Sequence, residues 1–234
     1  MGFLLKRDLV VVTGASRGIG RATAMEAARR GCNVLMLARS SAHLQDTIRQ
    51  AQDAADGGTV GSVIADLQDT RSIEQAGHSI LRQGVPRALI NNAGIVERQS
   101  LLEMSLESLR RQLDVNLIGS IWMSKQVLPA MLDQQRGAII NVSSISGCVG
   151  SARQIAYNAS KWATIGFTKS LAEELTDTGV MTCTVLPGAV DTEMLKGSAY
   201  PPRMTPHDVA QSLLHYALDA PTAHNGAVIE MFGT

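Results

Sequence analysis

Seven short apolar runs, several rich in β-branched residues, alternate with longer segments of helical composition, and this alternation leaves few folds open to the chain. The runs cover residues 9–12, 33–37, 61–65, 88–91, 138–142, 182–186 and 227–231. Between them, residues 20–30, 42–55, 70–83, 106–134, 155–178 and 206–218 read as helices. Strands of this kind, apolar on both sides and each followed by a helix, belong to a parallel sheet covered on both faces. Gly57-Gly58 and Gly84-Val85-Pro86 punctuate the turns. Pro129 is expected to kink the long helix 106–134 or to mark where its last turns begin. No linker or internal repeat divides the 234 residues. The expected architecture is therefore one α/β domain over residues 1–234, a doubly wound seven-stranded parallel sheet with ample core.

In such a sheet, ligands bind beyond the carboxyl ends of the strands. Gly14, Arg39, Asp66, Asn92, Ser144 and Pro187 all follow predicted strands, so they should converge on that rim. The first strand runs into Thr13-Gly14-Ala15-Ser16-Arg17-Gly18-Ile19-Gly20, with its glycines spaced G-xxx-G-x-G. Glycines let a backbone turn tightly and approach a diphosphate, and the following helix offers free N–H groups and partial positive charge. Turn chemistry alone also accounts for a glycine-rich loop; its place between a strand and a helix favours a dinucleotide. A second cluster lies in Tyr157-Asn158-Ala159-Ser160-Lys161, thirteen residues after Ser144. Tyrosine and lysine at i and i+4 share one helix face. A free phenol has a pKa of about 10, which a neighbouring ammonium lowers toward the working range. Ser144 could hold a carbonyl oxygen while Tyr157 supplies its proton, which reduces a ketone if a hydride donor is seated nearby.

Together these segments resemble the short-chain dehydrogenase/reductase family, in its branch of short single-domain Rossmann-type chains, over nearly the whole length. Thr13 to Gly20 matches the cofactor loop, and Asn91-Asn92-Ala93-Gly94 matches the segment that ends the fourth strand. Asn116, in Leu113-Asp114-Val115-Asn116, matches the helix asparagine; Ser144, Tyr157 and Lys161 match the catalytic residues. Leu186-Pro187-Gly188, with Thr192 four residues beyond, matches the loop over the nicotinamide. The resemblance implies a cofactor site drawn from Gly14, Ser16, Arg17, Gly18, Ile19, Gly20, Arg39, Ser40, Asp66, Leu67, Asn92, Ala93, Gly94, Tyr157, Lys161, Pro187, Gly188, Val190 and Thr192. Asp66 would contact adenine, cap the helix that begins near Thr70, or do both. Asn116 would bend its helix locally and hold a water that links Lys161 to solvent, or else be a self-satisfied core polar group. Ser143 offers a second hydroxyl beside Ser144, and the spacing to Tyr157 selects Ser144.

Charge argues for the form of the nicotinamide. An NAD enzyme offers an acid to the ribose 2′-hydroxyl at the end of the second strand, whereas this chain has Ala38-Arg39-Ser40. Arg39, with Arg17 from the glycine loop, suits a 2′-phosphate, so NADP(H) is the expected cofactor. The family's specificity segment follows Thr192; here it is short, with one aromatic and the stiff pair Pro201-Pro202, so an open pocket is expected. Ser144, Ser146, Val149, Gln154, Tyr157, Met194, Leu195 and Tyr200 would line it, suiting a small ketone or a β-keto thioester. The general look is that of 3-oxoacyl-acyl-carrier-protein reductases. Two departures weaken that likeness: Gln135 and Thr178 stand where carrier-gripping arginines are expected, and the tail lacks the usual Gly-Gly.

Composition excludes other classes. With 21 basic and 21 acidic residues the net charge is zero, and aromatics are 3%, so neither a nucleic-acid surface nor a stacking platform is expected. No leader or membrane span is legible, which points to a cytoplasmic protein. Cys32, Cys148 and Cys183 share no metal spacing and are expected to be buried thiols; no histidine falls in a motif. A homodimer or homotetramer through helices 106–134 and 155–178 is expected. A cofactor-sensing regulator without turnover is the reading from another class, and the retained Tyr157 and Lys161 argue against it.

Overall fold

In the computed structural model, which describes residues 7–233, strands β1 (Leu9–Thr13), β2 (Asn33–Ala38), β3 (Val60–Ile64), β4 (Ala88–Asn91), β5 (Gly137–Val142), β6 (Val180–Pro187) and β7 (Val228–Met231) form one sheet in the order 3-2-1-4-5-6-7. Every neighbouring pair is parallel. The fold is the expected seven-stranded parallel α/β sheet. Residues of β1, β4, β5 and β6 are buried throughout, whereas the edge strands β3 and β7 are partly exposed. Full burial is why the central strands read as largely apolar runs.

Alternation along β1 divides the core between the two faces. Val10 and Val12 pack with Ala24, Ala27 and Ala28 of α1 (Gly18–Arg29), Ala51 of α2 (Gln45–Ala54), and Val209 and Leu213 of α7 (Pro206–Leu214). Leu9 and Val11 point the other way, toward Ile73 and Ile80 of α3 (Thr70–Gln83), Met123 and Val127 of α5 (Gly119–Asp133), and Leu171 of α6 (Ile155–Glu174). Each large aliphatic side chain buried this way stabilises the fold by roughly 1.5–3 kcal/mol. The alanines matter for their size, since they let α1 lie close against both the sheet and α7.

Several boundaries differ from the sequence reading, three of them in helices. The long helix expected over 106–134 is α4 (Leu106–Leu113) joined to α5 through a π turn at Asp114–Ile118, and α5 runs past Pro129 to Asp133. The irregularity therefore falls at Asn116, which is bonded sideways, and Pro129 marks the last turns. Helix α6 stops at Glu174 because the chain turns there toward β6, which starts two residues early at Val180. Helix α7 gives way after Leu214 to a second π turn, His215–Asp219. The cap of α3 is also corrected: Asp69 accepts from the Arg71 amide at 2.9 Å, while Asp66 accepts from Gln68 at 3.0 Å and closes only a local turn. Cys32 and Cys183 are buried free thiols, but Cys148 is half-exposed, because it lies on the irregular loop after β5.

Between the sheet and its helices runs a buried polar ladder. Asn91 Nδ2 donates to Asn141 Oδ1 and to Ser124 Oγ, both at 2.9 Å, and Asn141 Nδ2 donates to Thr168 Oγ1 at 3.0 Å. These groups tie β4 and β5 to α5 and α6, and removing one leaves buried partners unsatisfied. Asn141→Ala should lower unfolding stability by about 2–3 kcal/mol. Urea denaturation of the two proteins measures this, and a change below 0.5 kcal/mol, within the ordinary effect of a surface substitution, would show the ladder to be energetically idle.

Candidate active site at the carboxyl edge of the sheet

Strand order reverses between β1 and β4, and a cavity of about 1250 Å³ opens beyond their carboxyl ends. Its floor is set by Thr13, the last residue of β1. Thr13 Oγ1 accepts from the amides of Asn92 and Ala93, both at 3.0 Å, and donates to the Ile90 carbonyl at 3.3 Å. Asn92 Nδ2 returns a bond to the Thr13 carbonyl at 2.9 Å. Gly14 has φ of +66°, and a Cβ there would lie 2.8 Å from Ala93 Cα. A Cβ on Gly20 would strike the Gly14 carbonyl and the Asn92 amide. The first and third glycines are therefore demanded by the packing of this loop against the end of β4.

The N-terminus of α1 is left open to an anion. Arg17 stands at its cap position in extended conformation with no capping bond from its side chain, and the first turn holds no acid. Thr47 of α2 holds the loop from behind through the Ser16 carbonyl at 3.3 Å. Arg17 and Arg39 are exposed on the cavity wall, and neither has an acidic partner among the described residues. A glycine-lined loop, a free helix N-terminus and unpaired guanidiniums fit the diphosphate and phosphate groups of a dinucleotide.

At the other end, Ser144 follows β5 and caps the short 3₁₀ turn Ile145–Gly147, its Oγ accepting from the Ser146 amide at 3.2 Å. Both serines line the cavity, and Ser143 Oγ is committed to the Lys161 carbonyl at 2.8 Å, which leaves Ser144 as the freer hydroxyl. Tyr157 and Lys161 stand on α6 with relative exposures of 8% and 4%, the lysine Nζ 5.6 Å from the phenol ring centre. Burial pushes the Tyr157 pKa up, and the Ser144 hydroxyl and the charge of Arg98 pull it back. Burial alone lowers Lys161 to about 8. Lys161 Nζ donates to the Val142 carbonyl at 2.8 Å, and its burial disfavours the cation.

Most residues read from the sequence line this one cavity, from Gly14, Ser16, Arg17, Gly18 and Ile19 through Arg39, Asp66, Leu67 and Asn92–Gly94 to Pro187, Gly188, Val190 and Thr192. Ser144, Ser146, Val149, Gln154, Tyr157, Lys161, Met194, Leu195 and Tyr200 line it as well. Gly20, Ser40 and Asn116 do not. Asn116 lies behind the wall, where its amide pairs with both backbone groups of Ile95 at 2.8 and 2.9 Å and with Ser160 Oγ at 3.1 Å. It is satisfied by protein and holds the Gly94–Ile95 stretch in place. Residues 193–195 form a 3₁₀ turn over the phenol, with Met194 Sδ 3.9 Å from the Tyr157 hydroxyl. Sequence reasoning missed Arg98, Phe232 and Met25 on the wall. Arg98 had one weak signal, its place seven residues beyond the end of β4.

Known proteins show the family and the fold. The short chain dehydrogenase family model matches residues 8–201. A 3-oxoacyl-[acyl-carrier-protein] reductase from Synechocystis sp. is 34% identical, over 94% of this chain and 93% of its own. An NADPH-dependent pterin aldehyde reductase from Arabidopsis thaliana is 35% identical, over 80% of this chain and 76% of its own. The crystal structure of a Beutenbergia cavernae protein assigned as an NAD(P)-dependent gluconate 5-dehydrogenase, with NADP at low occupancy, superposes with a TM-score of 0.90 at 32% identity. It covers 98% of this chain and 96% of its own.

Because the folded pKa of Lys161 lies below its unfolded value, the unfolded chain binds more protons between pH 8 and 10.5, and this group's contribution to stability rises with pH there. Without cofactor, the wild type should gain roughly 2 kcal/mol on Lys161→Met between pH 7 and 9.5. Paired denaturation curves at the two pH values test it; a pH-independent difference would mean that the lysine is not buried as a penalised cation.

Proposed function

The chain belongs to the short-chain dehydrogenase/reductase family, whose members are oxidoreductases acting on carbonyl and alcohol groups with a nucleotide cofactor, and from that premise we propose that it is an NADPH-dependent carbonyl reductase. The observation that carries this reading is a single cavity lined at one end by the glycine loop, Arg17 and Arg39, and at the other by Ser144, Tyr157 and Lys161. Bound there, the nicotinamide supplies a hydride to a carbonyl carbon. Arg39 and Arg17 take the 2′-phosphate, and the open end of α1 takes the diphosphate. Tyr157 gives its hydroxyl proton to the substrate oxygen, which Ser144 steadies by a hydrogen bond. Lys161 holds the nicotinamide ribose, and Asn116 acts through Ile95 as a positioning residue.

The physiological substrate is a small ketone or a 3-oxoacyl compound. The narrower reading, reduction of 3-oxoacyl groups on a carrier protein, is favoured by the similarity to the Synechocystis reductase. Against it, Gln135 and Thr178 offer a carrier no charge, and the Thr178 hydroxyl is turned inward to the Leu175 carbonyl at 2.7 Å. One domain over residues 1–234 carries the whole site, and a homodimer or homotetramer forms through the long helices. Exposed Leu106, Ile118, Ile155 and Trp162 on those helices support that pairing.

If the two arginines clasp a phosphate, NADP(H) should bind at least tenfold more tightly than NAD(H), since charge-assisted bonds are worth about 1.5–3 kcal/mol. Arg39→Asp should erase or invert the preference, as read from nucleotide titrations. Equal affinity of the unmodified protein for both nucleotides would end the argument. Tyr157→Phe should retain NADPH binding while turnover of active ketones falls by a factor of about 10²–10⁴. Near-normal turnover in that variant would assign the proton to another group.

A further inference from the structure

Beside the phenol lies a guanidinium that the reaction as described does not use. Arg98 sits on the strip that leaves β4, and that strip is fastened on both sides of it. Glu97 receives Arg111 Nε at 2.8 Å, Arg111 Nη2 at 2.9 Å and Ser108 Oγ at 2.6 Å, and its amide donates to Gln112 Oε1 at 3.1 Å. Gln99 donates from its amide to the Arg153 carbonyl at 2.8 Å and pairs with Gln154, two residues ahead of α6's Ala156-Tyr157. Pinned through both neighbours, Arg98 lines the cavity.

The guanidinium is poised and incompletely satisfied. Arg98 Nη2 donates to the Met194 carbonyl at 3.0 Å, and the sulfur of the same methionine meets the Tyr157 hydroxyl at 3.9 Å. One residue therefore separates the guanidinium from the phenol. Arg98 Nε is buried without an acceptor, and no carboxylate pairs with the side chain among the described residues. The acid next to Met194, Glu193, is taken by Lys196 at 2.6 Å. A planar cation with free donors at the edge of a catalytic pocket is built for a carboxylate.

We propose that Arg98 selects the substrate by receiving a carboxylate that the ketone carries, so that the preferred substrates are short oxo acids. This rests on the reductase reading and names its substrate class. The carboxylate would complete the donor set that Met194 satisfies only in part, and would fix which way the carbonyl faces Tyr157.

The test compares acetoacetate and 4-oxopentanoate with their methyl esters. Binding is measured by calorimetry to the protein saturated with NADP⁺, where no reduction occurs, and kcat/KM is measured with NADPH. Each acid should exceed its ester at least tenfold in both measurements. Arg98→Gln should bring the ratios to within about threefold of one, and Arg98→Lys, which keeps the charge but loses the planar fork, should fall between. Should Arg98→Gln not fold, as judged by lost NADP⁺ binding, the wild-type ratio and Arg98→Lys decide. Wild-type ratios near one, or ratios that survive in a folded Arg98→Gln protein, overturn the assignment. A protein that reduces neither acids nor esters fails the reductase reading instead, and the calorimetric ratio still judges Arg98.

Discussion

The contact between the end of β1 and the end of β4 is the constraint from which the rest of the molecule follows. In a sheet ordered 3-2-1-4, the chain departs from β1 in one direction and returns beside it from the other, so a crevice opens at that point. Thr13 closes the bottom of the crevice with three hydrogen bonds to the strand opposite, and Asn92 answers with one of its own. The glycine loop can settle against Ala93 only without side chains at positions 14 and 20. Once it is seated, α1 starts at the crevice with its N–H groups directed outward, and the end of the cavity proposed for the phosphates is in place.

The end proposed to be catalytic depends on burial instead. Lys161 and Tyr157 occupy one face of α6 and are both nearly removed from water. Burial works in opposite senses on the two, raising the pKa of the phenol and lowering that of the lysine. Helix spacing alone suggests that the ammonium activates the phenol. The folded arrangement shows a lysine whose charge is costly and whose Nζ is held by the Val142 carbonyl, while the groups that favour the phenolate are Ser144 and Arg98. A cofactor ribose and a substrate anion are groups that would complete both sets of contacts, which ties the reactivity of the pair to the ligands it serves.

Between these ends lies the strip from Asn92 to Gln99, held from behind at Ile95 by Asn116 and at Glu97 by Arg111 and Ser108. The π turn at Asp114–Ile118 belongs to the same device. It widens one turn of the long helix at the place where Asn116 reaches sideways to bond the strip and α6. Local irregularity in the helix thus fixes an extended segment that has little regular hydrogen bonding of its own.

Much of this was written in the residue order. Seven apolar runs separated by amphipathic ones determine a parallel sheet, because burial on both faces leaves a strand no polar side and each crossover demands a helix. The glycine spacing, Ser144, and the Tyr157–Lys161 pair were legible because each depends on local geometry: a tight turn, a loop position, one helix face. The tertiary structure alone decided what depends on distant partners. Asp69, and not Asp66, caps α3; the long helix 106–134 is interrupted at Asn116 rather than kinked at Pro129; Arg98 reaches the phenol through Met194, 96 residues further along the chain. Electrostatics belong to this second group, because a pKa is set by depth and by neighbours gathered from across the sheet, and no spacing within a single helix carries that information.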